Sequence, residues 1–160
     1  MNEKTAVLGA HIAAGLIWFA AVSDDGGLVA DSADRLELAD LPNGRGLSEL
    51  EESIEAVLNR VDPGKVVLLD AGSSKRPPSP STVRKRAWLE SALMIASART
   101  NRSVSTISHA SVKTLLGVGP TAPDFKTQMA ERLNGDTPTR WSDRAPAFGA
   151  ALAELQRGKK

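Results

Sequence analysis

The chain has 160 residues, a net charge of +1 and no cysteine. One domain with a real core is therefore expected. Disulfide frameworks and thiolate metal sites are excluded, a reducing, cytosolic setting suits the composition, and the net charge gives no global attraction to nucleic acid. The longest apolar stretch, Ile12 to Val22, is about half of the ~20 residues that a membrane span needs, so no membrane partner is expected, and no signal segment is read at the N-terminus.

In chain order, Thr5 to Gly9 and Leu16 to Val22 read as short strands, with the small residues Ala10 to Gly15 as a loop between them. Asp24-Asp25-Gly26-Gly27 is a turn signal, and Leu28 to Leu38 continues with partial alternation, so three antiparallel strands form a meander. Leu41-Pro42-Asn43-Gly44 breaks the pattern. Ser48 with Glu51 is a capping box opening a helix that runs to about Arg60, with Leu47, Leu50, Ile54, Val57 and Leu58 on one face.

Lys65-Val66-Val67-Leu68-Leu69-Asp70, bounded by Pro63-Gly64 and by Ala71-Gly72-Ser73-Ser74, reads as a buried parallel strand. Ligands of open α/β sheets sit outside the carboxyl ends of such strands, which is where Asp70 falls. The loop from Ser73 to Ser81 carries Lys75, Arg76 and three prolines. Asp70 beside this basic loop is either a metal ligand next to a phosphate or an ordinary loop start.

Thr82 to Arg99 reads as a second helix with Trp88, Leu89, Ala92, Leu93, Ile95 and Ala96 inward. Arg84, Lys85 and Arg86 load its first turns with positive charge, against the helix dipole. From Lys75 to Arg102, seven cations face Glu90 alone, whereas Asp24 to Glu55 is acidic. This asymmetry is either a local phosphate-facing surface or a solvated helix face. Ser103 to Ser108 is a short strand ending at His109, and Ser111 to Leu116 is a helical turn stopped by Gly117. Pro123-Asp124 starts a helix to about Leu133, and Ser142-Asp143 caps a last helix from Arg144 to Gln156, with Pro146 in its first turn. Trp18, Trp88 and Trp141 read most simply as core or interface, with base stacking the alternative for Trp88. The order β-β-β-α-β-α-β-α-α means a mixed five-stranded sheet with helices on both faces.

Several stretches resemble the RuvC group of Holliday-junction resolvases in the ribonuclease-H-like superfamily. Val7-Leu8-Gly9-Ala10-His11-Ile12 followed by Gly15 resembles the opening strand, usually apolar-Gly-apolar-Asp-Pro-Gly. Val67-Leu68-Leu69-Asp70 falls where the fourth strand of the family ends in a Glu. Arg86 to Arg99 is similar to the following helix, and Val104 to Lys113 with Leu116-Gly117-Val118-Gly119 is similar to the fifth strand, its Pro-x-x-Val-Lys turn and its Gly-x-Gly. Asp124 and Lys126 sit near a family lysine region. Ser142 to Leu155 resembles the final helix, which in the family begins with acids a turn apart.

This resemblance implies two-metal phosphodiester hydrolysis by converging carboxylates, with Mg²⁺ or Mn²⁺, acting on branched DNA as a homodimer. The family's ligand positions fall on His11, Asp70, Asp143 and Pro146, so the catalytic and metal-binding set becomes His11, Asp70 and Asp143. The nucleic-acid-binding set is Lys75, Arg76, Arg84, Lys85, Arg86 and Lys113. Loss of carboxylates at His11 and Pro146 leaves two readings. One is a domain kept for binding branched DNA, and the other is an active metal-dependent endonuclease with a repurposed His-Asp-Asp site, for which His109 is a possible assistant. A third class, the actin-like ATP-binding fold, needs two domains and an acidic Gly-rich loop, and Ala10 to Gly15 contains no acid.

Overall fold

The computed structural model describes residues 5–29, 35–37, 44–72, 76–118, 124–133 and 135–159. Strands β1 (Thr5–Ala13) and β2 (Leu16–Ser23) form an antiparallel hairpin, and β3 (Arg35–Glu37) pairs with β2. Then come α1 (Gly44–Val61), β4 (Lys65–Leu69), α2 (Pro80–Arg99) and β5 (Val104–Ile107). Three helices close the chain: α3 (His109–Leu116), α4 (Phe125–Glu131) and α5 (Trp141–Gly158). The sheet order is β3-β2-β1-β4-β5, with β1, β4 and β5 mutually parallel. The mixed five-stranded sheet with helices on both faces is thus the observed architecture.

The apolar residues sort by strand alternation. Leu8, Ala10 and Ile12 of β1 and Val66 and Leu68 of β4 face α1 and α2, against Leu50, Ile54, Leu58, Leu89 and Leu93. Val7 of β1 and Val67 and Leu69 of β4 face the other way, onto α3, α4 and α5, where Val112, Met129 and Phe148 complete a second core. Gly9 and His11 belong to this α5-facing side by the same alternation. Gly9 is required there: a Cβ would lie 1.9 Å from the Ala147 carbonyl oxygen, so α5 can rest on the sheet only where β1 has no side chain.

The structure revises several element bounds. The expected loop from Ala10 to Gly15 is mostly strand. β1 runs on to Ala13 because it lies between β2 and β4 and is hydrogen-bonded along both edges, which overrides the weak strand preference of alanine. The chain reverses over Ala14 and Gly15, with φ of 51° and 77°, as a two-residue hairpin requires. In the third expected strand, Leu28 makes an isolated bridge to Val22 and regular pairing is confined to β3, while residues 30–34 and Leu38 lie outside the described residues.

Helix α1 begins at Gly44, before the expected Ser48 cap, with an Arg45–Glu49 pair at 3.2 Å in its first turns. α2 starts at Pro80 rather than Thr82, because Ser79 accepts the Thr82 amide proton (3.2 Å) and Pro80 needs no partner for an N–H it lacks. Ile95 of its expected inward stripe is exposed (40 %). The expected turn from Ser111 to Leu116 is a full helix: Ser108 caps it and Gly117, at φ 67°, closes it. Helix α5 starts at Trp141, not Arg144. Arg140 enters the left-handed region (φ 62°), and Trp141 buries its ring while donating Nε1–H to the Lys126 carbonyl (2.8 Å). Ser142 and Asp143 therefore lie inside the first turn instead of capping it, and Pro146 lies beyond that turn. No helix among the described residues is long and apolar enough to cross a membrane.

Candidate functional site

The carboxyl ends of β1 and β4 meet α3 and the start of α5 along one rim of the sheet, an edge formed by strand ends and not by an outer strand. His11 comes from β1, cross-paired with Trp18 of β2. Its Nδ1 is buried and has no hydrogen-bond partner among the described residues. Its pKa is lowered to about 4, by burial first, then by the charges of His109 and Arg86, with Asp143 acting in the opposite sense. The ring is therefore neutral at pH 7.

Asp70 follows β4 directly. Its amide donates to the Ile107 carbonyl at 2.8 Å, which continues the parallel ladder, while the residue itself is exposed. His109, the first residue of α3, lies beside Gly72, where a Cβ would be 3.4 Å from its Cδ2. Partial desolvation lowers the His109 pKa, assisted by Lys113 and Arg86. A hydrogen bond to the Asp70 backbone and the Asp70 charge oppose this. Asp143 is half-buried in the first turn of α5. The next residue fixes that turn: Arg144, 6 % exposed, donates Nε–H to the Phe19 carbonyl at 3.0 Å.

His11, Asp70 and Asp143 come from the expected elements, yet they form no shared coordination sphere. Among the described residues, no group of three or more histidine, cysteine or carboxylate residues is placed to hold a metal ion. Pro146 lines an apolar cavity of about 220 Å³ with Leu69, His109, Val112, Lys113 and Phe125. The position where the resemblance expects a second α5 acid is thus an apolar wall. A fixed guanidinium, that of Arg86, also lies at this edge. The residues present do not fit a pair of hard divalent ions, which need several converging oxygen ligands.

The basic residues divide into two groups. Arg86 was expected to face phosphate, but turns inward: it donates to the carbonyls of Ile12 (2.9 Å) and Leu69 (3.0 Å) and pairs with Glu90 (2.7 Å). Arg99 pairs with Glu51 and Arg102 with Asp62, both at 2.8 Å. The acidic segment and part of the basic segment are therefore facing surfaces of one structure, with α1 against α2. Arg76, Arg84 and Lys113 are exposed, and Lys85 is half-buried. Lys85 and Arg86 line a cavity of about 260 Å³ with Ser81, Thr82 and the β1–β2 hairpin. Lys75 lies outside the described residues, as do Gly119 and Pro123.

Trp18 and Trp141 are core residues and Trp88 packs half-buried against the α1–α2 core. Arg35 stacks over Trp18, 5.5 Å from the ring centroid. His109, a possible assistant in the sequence reading, is brought beside Asp70 by the short β5–α3 connection. One residue gains a role that the sequence does not announce. Arg144 anchors the α5 turn, and no local pattern marks it.

The sheet order, the parallel β1-β4-β5 half and the helices on both faces define a ribonuclease-H-like fold. Within that class the arrangement is RuvC-like. RuvC of T. thermophilus in complex with Holliday junction substrate matches with a TM-score of 0.75 at 15 % identity, over 96 % of this chain and 94 % of that one. The structure of Thermus thermophilus RuvC matches at 0.73 and 16 % identity, over 96 % and 95 %. The yeast mitochondrial Holliday junction resolvase Ydc2 matches at 0.63 and 13 % identity, over 98 % and 80 %. At these identities the likeness is one of fold. No protein-family model matches the sequence, and no curated protein sequence does either.

Proposed function

We propose that this chain binds branched DNA as a RuvC-like protein whose centre has lost metal-dependent hydrolysis. The observation that carries this reading is the exchange of charge at one sheet edge. The strand-one position holds a neutral His11, the second α5 position holds Pro146, and His109, Lys113 and Arg86 stand beside them. An edge of that kind keeps Lys113 for a phosphate backbone and retains Asp70 and Asp143, fewer carboxylates than a pair of ions needs. Fold similarity to a RuvC bound to a Holliday junction supports the choice of branched DNA. The DNA-contacting residues in this reading are Lys75, Arg76, Arg84, Lys85 and Lys113.

The test is a labelled four-way DNA junction incubated with the protein in Mg²⁺ or Mn²⁺, with binding and cleavage scored in one gel beside Asp70→Asn and Asp143→Asn. Binding without cuts, equal in all three proteins, is expected. Symmetric cuts lost in either variant would establish the endonuclease instead, with His11, Asp70 and Asp143 as its metal-site residues.

The same reading includes a homodimer, because a four-way junction has two equivalent halves. The outer face of α2 supports it: Val83 (52 %), Met94 (45 %) and Ile95 are exposed large hydrophobic residues, and Ala87 falls on the same stripe. Sedimentation of wild type as a dimer and of Met94→Glu as a monomer is the expected result.

A further inference from the structure

The guanidinium of Arg86 is surrounded by oxygen. Nη1 donates to Ile12 O at 2.9 Å, Nη2 to Leu69 O at 3.0 Å and Nε to Glu90 Oε1 at 2.7 Å. Two of these acceptors are main-chain carbonyls at the carboxyl ends of the adjacent parallel strands β1 and β4, and the third is a carboxylate one helical turn along α2. Strand pairing fixes the carbonyls, since Ala10 and Leu68 stand opposite each other immediately before these ends. The Arg86 side chain is 20 % exposed, so its charge is partly withdrawn from water and is held by these three contacts.

Carbonyl and carboxylate oxygens are the donors that hard divalent cations take. Here they are taken by a side chain that is always charged and presents its donors in a rigid plane. A divalent ion entering beside His11 or Asp143 would meet this fixed charge, and the repulsion is screened little away from bulk water. The cation of this oxygen-lined place is therefore supplied by the chain.

We propose that Arg86 is the resident cation of the β1–β4 edge: it fills an oxygen-lined place otherwise suited to a divalent ion, and ligand binding at this edge needs no metal. Arg86 acts as a positioning residue, tying both strand ends and offsetting part of the carboxylate charge that Glu90, Asp70 and Asp143 set against a phosphate-bearing ligand. The ligand half of this inference rests on the DNA-binding reading above; the cation half does not.

Two measurements on the full chain test it. In the first, Mn²⁺ is titrated into wild type, Arg86→Gln and Arg86→Lys, and the electron paramagnetic resonance signal of free Mn²⁺ is followed. Wild type and Arg86→Lys are expected to leave the signal undiminished at millimolar metal. Arg86→Gln, which vacates the three oxygens, is expected to bind Mn²⁺ at least tenfold more tightly. In the second, the anisotropy of a labelled four-way junction is expected to give wild-type affinities within twofold of each other in EDTA and in Mn²⁺. Saturable binding of Mn²⁺ by wild type, a folded Arg86→Gln that leaves the signal undiminished, or junction affinity that collapses in EDTA, overturns the proposal. If Arg86→Gln does not fold, Arg86→Met, which keeps the length of the side chain and removes its charge, is titrated in its place with the same expectation. A junction bound under neither condition defeats the DNA reading, and the Mn²⁺ titration then decides the cation assignment by itself.

Discussion

His11 sits on a strand whose neighbours in space hold its imidazole uncharged. Burial is the largest cause, and the nearby positive groups add to it. In the unfolded chain the same ring titrates at its ordinary value of 6.5, against about 4 when folded. The folded state thus binds the proton less readily than the unfolded state. Stability from this residue is complete above pH 6.5 and is lost as pH falls toward 4, below which both states are protonated and no further loss occurs. The difference of 2.5 units (6.5 − 4) corresponds to about 3 kcal/mol at most. His109 shifts in the same direction and adds to the trend. Urea unfolding at pH 7 and pH 4.5 measures the effect. Wild type is expected to lose about 2 kcal/mol more than His11→Gln between these pH values. Equal losses would mean that the ring is already solvated in the folded protein. The surface carboxylates are common to both proteins, so the comparison isolates His11.

Between elements, α5 rests on β1 with backbone against backbone at Gly9. At Gly9 a methyl group would overlap the Ala147 carbonyl, and backbone cannot rotate away as a flexible side chain would. Gly9→Ala is therefore expected to cost about 2–3 kcal/mol, the upper part of the ~1–3 kcal/mol range found for overpacked cores, read as a lower urea midpoint with an unchanged slope. The same contact shows how much of the architecture was legible. Gly9 was visible as part of a strand motif, but its partner was not, since nothing local links it to Ala147. The apolar run from Lys65 to Asp70, the Asp24–Gly27 turn and the Gly117 stop were readable because each carries its own local signal. The extension of β1 through Ala10 to Ala13 was not, because alanine takes a strand conformation only when strands on both sides supply hydrogen bonds. The start of α5 was misplaced for a related reason: a buried Trp141 set the helix origin more strongly than the polar Ser142-Asp143 pair. At the site, Asp70 was legible from its strand end and His11 from the departed motif, while the inward turn of Arg86 depended on two carbonyls far away in sequence.

For the whole molecule, the charge pattern separates into a part that holds the fold and a part left for a partner. Arg99 and Arg102 bind carboxylates of α1 and the residue just beyond it, so their charge is used within the fold. Arg84 and Lys113 are exposed, and Lys85 lines an open cavity beside the β1–β2 hairpin. A protein that neutralises phosphates releases counterions, and the logarithm of affinity falls with the logarithm of salt by about 0.9 per phosphate. Replacing Arg84, Lys85 and Lys113 together by glutamine is expected to reduce that slope by about 2.7 for a four-way junction, with little change in thermal stability. Replacing Arg99 and Arg102 by glutamine is expected to do the reverse: the salt slope stays, and stability falls by up to about 1 kcal/mol per pair. Anisotropy titrations between 50 and 300 mM salt, roughly the range over which such slopes are resolved, paired with thermal melts, distinguish the two sets. If the Arg99 and Arg102 variant flattened the slope instead, α2 would have to leave α1 on binding, because both arginines are engaged by α1-side carboxylates in the free chain.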